Sequence, residues 1–449
     1  MVDEKIRRAQ IALEEIKDYT QEQADAMVKA CGRVIYEHAE ELAVEAVSET
    51  QYGNVEFKTA KNRNSPASIW TYLKDKKSVG VIARDEAGEE GIIKIAHPVG
   101  VVGSVTPVTV PNVCPTGNTM LALKGKNAII VAPSPKSKLS STHTVNLMRA
   151  ELEKLGAPAD LIQIVEEPTL ELTRELMSKC DVVVATGGPG LVSAAYASGT
   201  PAYGVGAGNS QVIVDDVTDY PQFAKDTVAS RSFDNGTSCL ATQTYIYRRE
   251  LKREVEKALT DCGVHIIEDA ELVSKLRGFL FPSGIFNKEM AGQGAQIIAK
   301  RAGIKVPGDT VVIALKLQKY GHEEILCHER PCAVLGAYEV DTFEGALDIA
   351  CANYDVDGKG HTAGIYTMSE NHAIQAGIRL PVSRLMVNQP TRDGGGSPTN
   401  NLVPTNTIGC GSWGNNSISE NLSYKHLLNI QRVVYSVKKA PVDMERIWD

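Results

Sequence analysis

The amino-acid sequence predicts an α/β protein built on parallel sheets, and three observations carry that prediction. Between residues 127 and 215 short apolar runs alternate with helical stretches, the mark of repeated β-α units. The third of those runs passes directly into a glycine-rich turn, Thr186-Gly187-Gly188-Pro189-Gly190. From 227 to 415 a second set of strand-like runs follows, which calls for a second α/β domain.

In chain order, residues 3–50 read as amphipathic helices that pack on the first sheet. Ser78 to Gly103 alternates in places and carries Ala87-Gly88 as a turn, so it reads as a β-hairpin arm. Asn127–Ala132 is a strand ending at Pro133. Val145, Met148, Leu152 and Leu155 recur at spacings of three and four, one face of a helix. Leu161–Val165 is the second strand, Leu170–Cys180 is helical in composition, and Asp181–Ala185 is the third strand, mostly β-branched. Ligands bind at the carboxyl ends of such strands. The turn at 186–190 is not the GxGxxG pattern; the strand before it and the small-residue helix after it make close backbone approach to a cofactor reasonable. In the second half, Thr244–Tyr247, Thr310–Ala314, Ala333–Tyr338 and Leu385–Asn388 read as strands, and the tail after Glu420 turns extended at Arg432–Tyr435. The expected division is a first α/β domain over 1–226 with the arm at 78–103, a second α/β domain over 227–418, and an extended segment over 419–449. Arm and tail look like polar-edged strands with no partner inside one subunit, which predicts a homodimer or homotetramer.

Length and composition narrow the function classes. A chain of 449 residues with 43% hydrophobic and 23% charged residues is ordinary globular material. A formal charge of −8 gives no electrostatic case for nucleic acid or an anionic membrane, while leaving anionic small ligands open. Nine scattered, unpatterned cysteines read as reduced thiols. No apolar run approaches membrane-spanning length, and the start MVDEKIRRAQ is too charged for a secretory signal, so the cytoplasm is the expected location.

The chemistry centres on Cys239. It follows Phe233-Asp234-Asn235-Gly236-Thr237-Ser238, a polar turn whose backbone N–H groups can face whatever the sulfur attacks. A thiol that adds to a carbonyl needs donors for the resulting oxyanion. The alternative, an inert buried cysteine, is the usual fate of a free thiol. The stretch Phe233–Gln243, FDNGTSCLATQ, resembles the nucleophile loop of the CoA-acylating aldehyde dehydrogenases, where FDNG, two residues, Cys, two residues and EQ is usual; Thr242 stands in place of the Glu. Further stretches match in the same order at Pro98–Gly103, Lys124–Pro135, Ala185–Gly188, Tyr203–Asn209, Gly360–Ala363 and Leu402–Asn421, closest to the acylating succinate-semialdehyde members.

That resemblance implies an aldehyde dehydrogenase-like fold: a Rossmann-type cofactor domain, an α/β catalytic domain and a small β oligomerisation arm. It implies NAD or NADP as cofactor and coenzyme A as co-substrate, with Cys239 passing through a thiohemiacetal and a thioester. Thioester exchange to CoA is nearly isoenergetic, so the acceptor needs little activation beyond forming thiolate. Hydrolytic aldehyde dehydrogenases use a Glu to activate water, and Asn209 stands at its expected place. By the same resemblance Thr106, Pro107, Pro133, Ser134, Lys136, Thr186, Gly187, Gly188 and Gly206 line the dinucleotide site, and Glu329 binds the nicotinamide ribose. Lys136 and Lys138 either meet the adenosine half, including any 2′-phosphate, or form a solvated basic turn.

Departures from the family pattern are equally informative. The family's TPxTNP carries an oxyanion-donating Asn; here the segment is Thr106-Pro107-Val108-Thr109-Val110-Pro111. Val110 stands at the donor position, so either the Cys239 backbone N–H works with a substitute donor, or Asn112 serves, or the pocket is retuned for a different aldehyde. His361, in the intact Gly360-His361-Thr362-Ala363, is either a base for the CoA proton or a structural histidine. Arg392 is unlike the small residues expected there, and either clamps an anionic substrate or pairs with Asp393. The run Cys327-His328-Glu329-Arg330-Pro331-Cys332 has metal-ligating residue types, but adjacent strand residues face opposite ways and no second cluster exists, so no metal is expected. Two rivals remain: a hydrolytic aldehyde dehydrogenase, and a non-catalytic scaffold on the same fold. The aldehyde expected is short and anionic, succinate semialdehyde or sulfoacetaldehyde, with acetaldehyde also open.

Overall fold

The computed structural model describes residues 1–84, 91–216, 219–437 and 443–448. Three helices, Val2–Glu15, Gln21–Glu37 and Ala39–Thr50, open the chain as the periodicity predicts. Thr20 and Gln23 close a capping box at the second of them. A fourth helix, Val55–Leu73, buries Lys58 and Asn62. The arm then follows as β1 (Gly80–Arg84) and β2 (Ile92–Pro98), paired antiparallel. Its expected turn at Ala87-Gly88 lies outside the described residues. The arm ends at Pro98, short of the expected Gly103, because Val101 onward pairs in a different sheet.

That sheet holds β3 (Val101–Thr106), β4 (Ala128–Pro133), β5 (Ile162–Ile164), β6 (Val182–Thr186) and β7 (Ala202–Val205), all parallel, in the order β5-β4-β3-β6-β7. Its core strands are buried on both faces, as continuous apolar runs require. The chain steps outward from β3 to β5 and then returns to β6 on the other side. The topological switch point therefore lies between the carboxyl ends of β3 and β6, where Thr106-Pro107 and Thr186-Gly187-Gly188 stand. Asn127, fully buried, accepts from the Val99 and Gly100 N–H groups and donates to the Ala122 and Leu427 carbonyls, tying the arm's root to the tail.

The second sheet holds β8 (Ser210–Asp216), β9 (Thr242–Arg248), β10 (Val264–Ile267), β11 (Val312–Lys316), β12 (Val334–Val340), β13 (Gly360–Thr367) and β14 (Val382–Val387), in the order β10-β11-β12-β9-β8-β13-β14. Its paired strands are parallel. The expected boundary at 226 is displaced: β8 lies between β9 and β13, so the passage between sheets occurs within residues 206–209. Four strands escaped the sequence pattern. Of these β7 and β13 carry motif residues and glycines, β8 begins directly after a motif, and β10 is four residues long; parallel strands lack the alternation that would reveal them.

The tail forms β15 (Leu428–Val434), which pairs antiparallel with β2 over seven residues. Arm and tail are therefore partners within one chain, correcting the expectation that neither has one. The three-stranded sheet β1-β2-β15 still presents its two outer edges. Among the described residues no helix is long and apolar enough to cross a membrane.

Candidate active site

The helix Tyr220–Ser232 stops at Phe233, and the chain then makes three consecutive left-handed steps: Asp234 at φ 51°, Asn235 at 55° and Gly236 at 76°. Asp and Asn tolerate this conformation better than most residues, but it still costs energy that the surroundings must offset. Gly236 is obligatory, since a Cβ there would lie 2.8 Å from the Cys332 carbonyl oxygen. The offset comes from the fully buried Asp234 carboxylate. It accepts from the Asn54 N–H at 3.1 Å, Lys58 Nζ at 3.0 Å, Lys61 Nζ at 2.6 Å and Thr237 Oγ1 at 3.0 Å. Burial alone would raise Asp234; the two ammonium groups hold it below the usual carboxylate range. Lys58, buried and beside Lys61, is pushed down to about 8.

Five residues on, Cys239 emerges half-buried against Val205, Leu240 and Ile408. The loop from the first sheet presses on it: a Cβ at Gly208 would strike the Cys239 carbonyl oxygen at 1.7 Å. The Gly208 N–H donates to Glu329 Oε1 at 3.1 Å. Burial pushes the Cys239 thiol up to about 12, with Glu329 and Cys410 adding to the rise and Arg384 opposing it. Burial likewise pushes Glu329 up to about 7. Asn209 follows at once, and its amide donates to the carbonyls of Cys327, Asn353 and Asp357, so it is a brace between loops.

At position 242, where the resemblance leads one to expect Glu, the structure gathers hydroxyls. Thr242 Oγ1 lies 3.0 Å from Thr391 Oγ1, which lies 2.8 Å from Ser230 Oγ and donates to the Leu240 carbonyl at 2.7 Å. Beside this cluster a cavity of about 590 Å³ is lined by Lys61, Val110, Phe233, Ser238, Leu240 and Arg392, among others. Val110 thus presents hydrocarbon to the cavity that Ser238 and Leu240, the neighbours of Cys239, line. Asn112 does not replace the absent donor: its side chain is buried against the helix Lys138–Lys154, donating to Thr144 Oγ1 at 2.9 Å. Arg392 lies 5.5 Å above the Phe233 ring and 3.8 Å from Asp393, with 40% of its side chain exposed.

A second cleft of about 450 Å³ runs between the sheets, lined in part by Pro189, Tyr196, Gly206, Lys359, Cys410 and Trp413. Gly188 begins the helix Pro189–Tyr196 with no side-chain cap, leaving N–H groups suited to a phosphate. Thr106, Thr186 and Gly187 sit at the same switch point; Thr106 Oγ1 is buried without a partner, and Thr186 Oγ1 lies 3.4 Å from Thr407 Oγ1. Pro107 follows Thr106 at the strand end. Pro133 ends β4, Ser134 caps the turn to Lys136, and Lys138 is held by Glu167 at 2.5 Å. These residues fit a dinucleotide laid across the first sheet, with Glu329 at its inner end.

His361 is fully buried. Its Nδ1 lies 3.1 Å from Thr362 Oγ1, its Nε2 has no partner among the described residues, and burial pushes it down to about 3, so the ring is neutral. The Cys-His-Glu-Arg-Pro-Cys run is dispersed: Cys327 Sγ bonds Asn353 and Tyr338, His328 Nδ1 meets Asp357, and Cys332 sits against buried Arg231. Lys58, Lys61, Asp234 and Arg384 went unnoticed in the sequence. The FDNG motif contained Asp234, but a lone acid in a polar turn gives no hint that two lysines about 175 residues upstream will meet it.

Comparison with known proteins shows the family. Residues 1–264 match the aldehyde dehydrogenase family. The chain is 50% identical over 448 residues to a succinate-semialdehyde dehydrogenase (acetylating) of Clostridium kluyveri, covering 100% of this chain and 98% of that one. It is 40% identical to a sulfoacetaldehyde dehydrogenase of an Acholeplasma species, covering 99% and 93%. The crystal structure of an acetylating aldehyde dehydrogenase from Geobacillus thermoglucosidasius superposes with a TM-score of 0.94 at 35% identity, covering 98% of this chain and 97% of that one.

Asp234→Ala should destabilise the protein by about 3–5 kcal/mol, because it strands the buried Lys58 ammonium without an anion. Chemical denaturation monitored by circular dichroism measures this; a loss below about 1 kcal/mol would mean the triad does not hold the loop.

Proposed function

Because the chain belongs to the CoA-acylating aldehyde dehydrogenases, we propose that Cys239 carries its oxidation of an aldehyde to an acyl-CoA. The thiolate adds to the aldehyde carbon and forms a thiohemiacetal. A nicotinamide dinucleotide bound in the cleft accepts the hydride from that carbon, leaving a thioester on Cys239. The CoA thiol then takes the acyl group and frees the cysteine. Glu329 orients the ribose next to the nicotinamide by accepting its hydroxyls, which requires the carboxylate form that Glu329 adopts above about 7. His361, neutral and with Nε2 free, takes the CoA proton. Either NAD or NADP fits the switch point.

The observation that carries this reading is Asn209. The position where a water-activating carboxylate is expected holds an amide engaged by three backbone carbonyls. The one observation favouring hydrolysis is Glu329, a carboxyl raised to about 7 near the sulfur. The two readings separate in one assay. NAD(P)H formation from succinate semialdehyde should require CoA, and Cys239→Ala should lower it at least about a thousandfold while dinucleotide binding persists. Full NAD(P)H and free-acid production without CoA would make the enzyme hydrolytic.

The substrate proposed is a short aldehyde with a carboxylate or sulfonate at its far end. Arg392 opens onto the cavity that Ser238 and Leu240 line, and its pairing with Asp393 is long. A hydrogen bond to a charged group contributes about 1.5–3 kcal/mol, or roughly one to two decades of preference. Arg392→Ala should therefore lower kcat/KM for succinate semialdehyde or sulfoacetaldehyde about 10–100-fold and leave propanal nearly unchanged. Equal effects on both classes would remove the anion from the proposal.

Assembly into a homodimer or homotetramer rests on the free edges of the β1-β2-β15 sheet, where Val434 is 68% exposed. Light scattering at micromolar concentration should give at least twice the 48.4 kDa chain mass; a monomer overturns this.

A further inference from the structure

Arg384, on β14, is a buried cation with only neutral partners among its hydrogen bonds. Its guanidinium donates to Thr362 Oγ1 at 3.4 Å, Asn421 Oδ1 at 2.9 Å, and the carbonyls of His361 at 2.9 Å and Gly409 at 2.5 Å. A buried charge held by dipoles alone is costly unless it faces an anion during its working cycle.

Two routes lead from it to the nucleophile. Gly409 lies between Ile408, which packs on Cys239, and Cys410. Thr362, the partner of Arg384 Nε, meets Leu240 across Gly394: a Cβ there would lie 3.3 Å from Thr362 Cγ2 and 3.0 Å from Leu240 Cδ2. The guanidinium is thus bonded to Gly409, which joins the Ile408 that packs on Cys239 to Cys410, and to Thr362, which lines the same glycine as Leu240. The charged and titratable groups that act on Cys239 are Glu329 and Cys410, which disfavour its thiolate, and Arg384, which favours it. The side chains whose ionisation acts on Arg384 are the thiols of Cys410 and Cys239, and it meets either as an anion only when that thiol gives up its proton.

We propose that Arg384 supplies the positive charge that stabilises the Cys239 thiolate. The step it favours is an ionisation: the S–H bond breaks, the proton passes to solvent and the electron pair stays on Sγ. The role rests on Cys239 as the nucleophile of the proposed reaction. A readout of sulfur ionisation without turnover keeps the two separable.

The test is alkylation of the full chain by iodoacetamide without coenzyme, with modification of the Cys239 peptide followed by mass spectrometry from pH 7 to 9. Below the thiol pKa the rate rises tenfold per pH unit, so the offset between two variants reads the change in pKa. Arg384→Gln should slow Cys239 alkylation about tenfold or more at every pH, and Arg384→Lys, which keeps the charge and loses the fork, should stay within about threefold of the parent. Equal slowing in both variants would assign Arg384 to hydrogen bonding, and an unchanged rate in Arg384→Gln would remove it from the thiol's electrostatics; either result overturns the proposal. Should Arg384→Gln not fold, Arg384→Lys decides it: slowing of tenfold despite the retained charge is fatal to the idea.

Discussion

The geometry of the whole site depends on one buried anion. Asp234 occupies a left-handed backbone position in a turn of three such residues, and its carboxylate is met by two ammonium groups, a hydroxyl and a backbone N–H. Two of those partners, Lys58 and Lys61, come from one helix face, and Asn54 caps the same helix. The helix Val55–Leu73 therefore clamps the nucleophile loop, although it belongs to the N-terminal layer of the chain. The same helix lines the cavity that Val110, Ser238, Leu240 and Arg392 share. Loop conformation and pocket shape are set together by that clamp.

A second constraint divides thiol transfer from water transfer. The family's reaction class depends on what stands where a water-activating base would be. Asn209 has the right shape to reach that position but is bound to three carbonyls, so it contributes rigidity in place of basicity. Val110 and Thr242 both depart from the Asn and Glu that the resemblance leads one to expect there. One site becomes hydrocarbon, and the other becomes a closed set of hydroxyls around Thr391. The second change keeps a buried polar position satisfied without a charge, which a carboxylate there would not.

Much of the architecture was legible from residue order. The β-α alternation of 127–186 placed β4, β5, β6 and the helices between them within a few residues, because those runs are short, apolar and bounded by Pro or Gly. The FDNG and GHTA matches located Cys239 and His361. What escaped the sequence was long-range: β8 was joined to the wrong domain because its neighbours β9 and β13 are distant in sequence. The tail's pairing with β2 spans more than 300 residues, and the Lys58–Asp234 contact spans 176. Asn112 could be weighed as an oxyanion donor only while its orientation toward Thr144 was unseen.

The crossing between sheets has a consequence for modularity. Residues 206–209 are the sole described connection between β7 and β8, and they also supply a cleft wall, the donor to Glu329, the glycine against Cys239 and the brace at Asn209. The linker that joins the two halves is itself part of the reaction centre. Neither half can be exchanged for that of a distant cousin by cutting at the junction, because the cut passes through the chemistry. Recombination that preserves function must fall elsewhere, in segments such as the arm that touch neither the thiol nor its carboxylate neighbour.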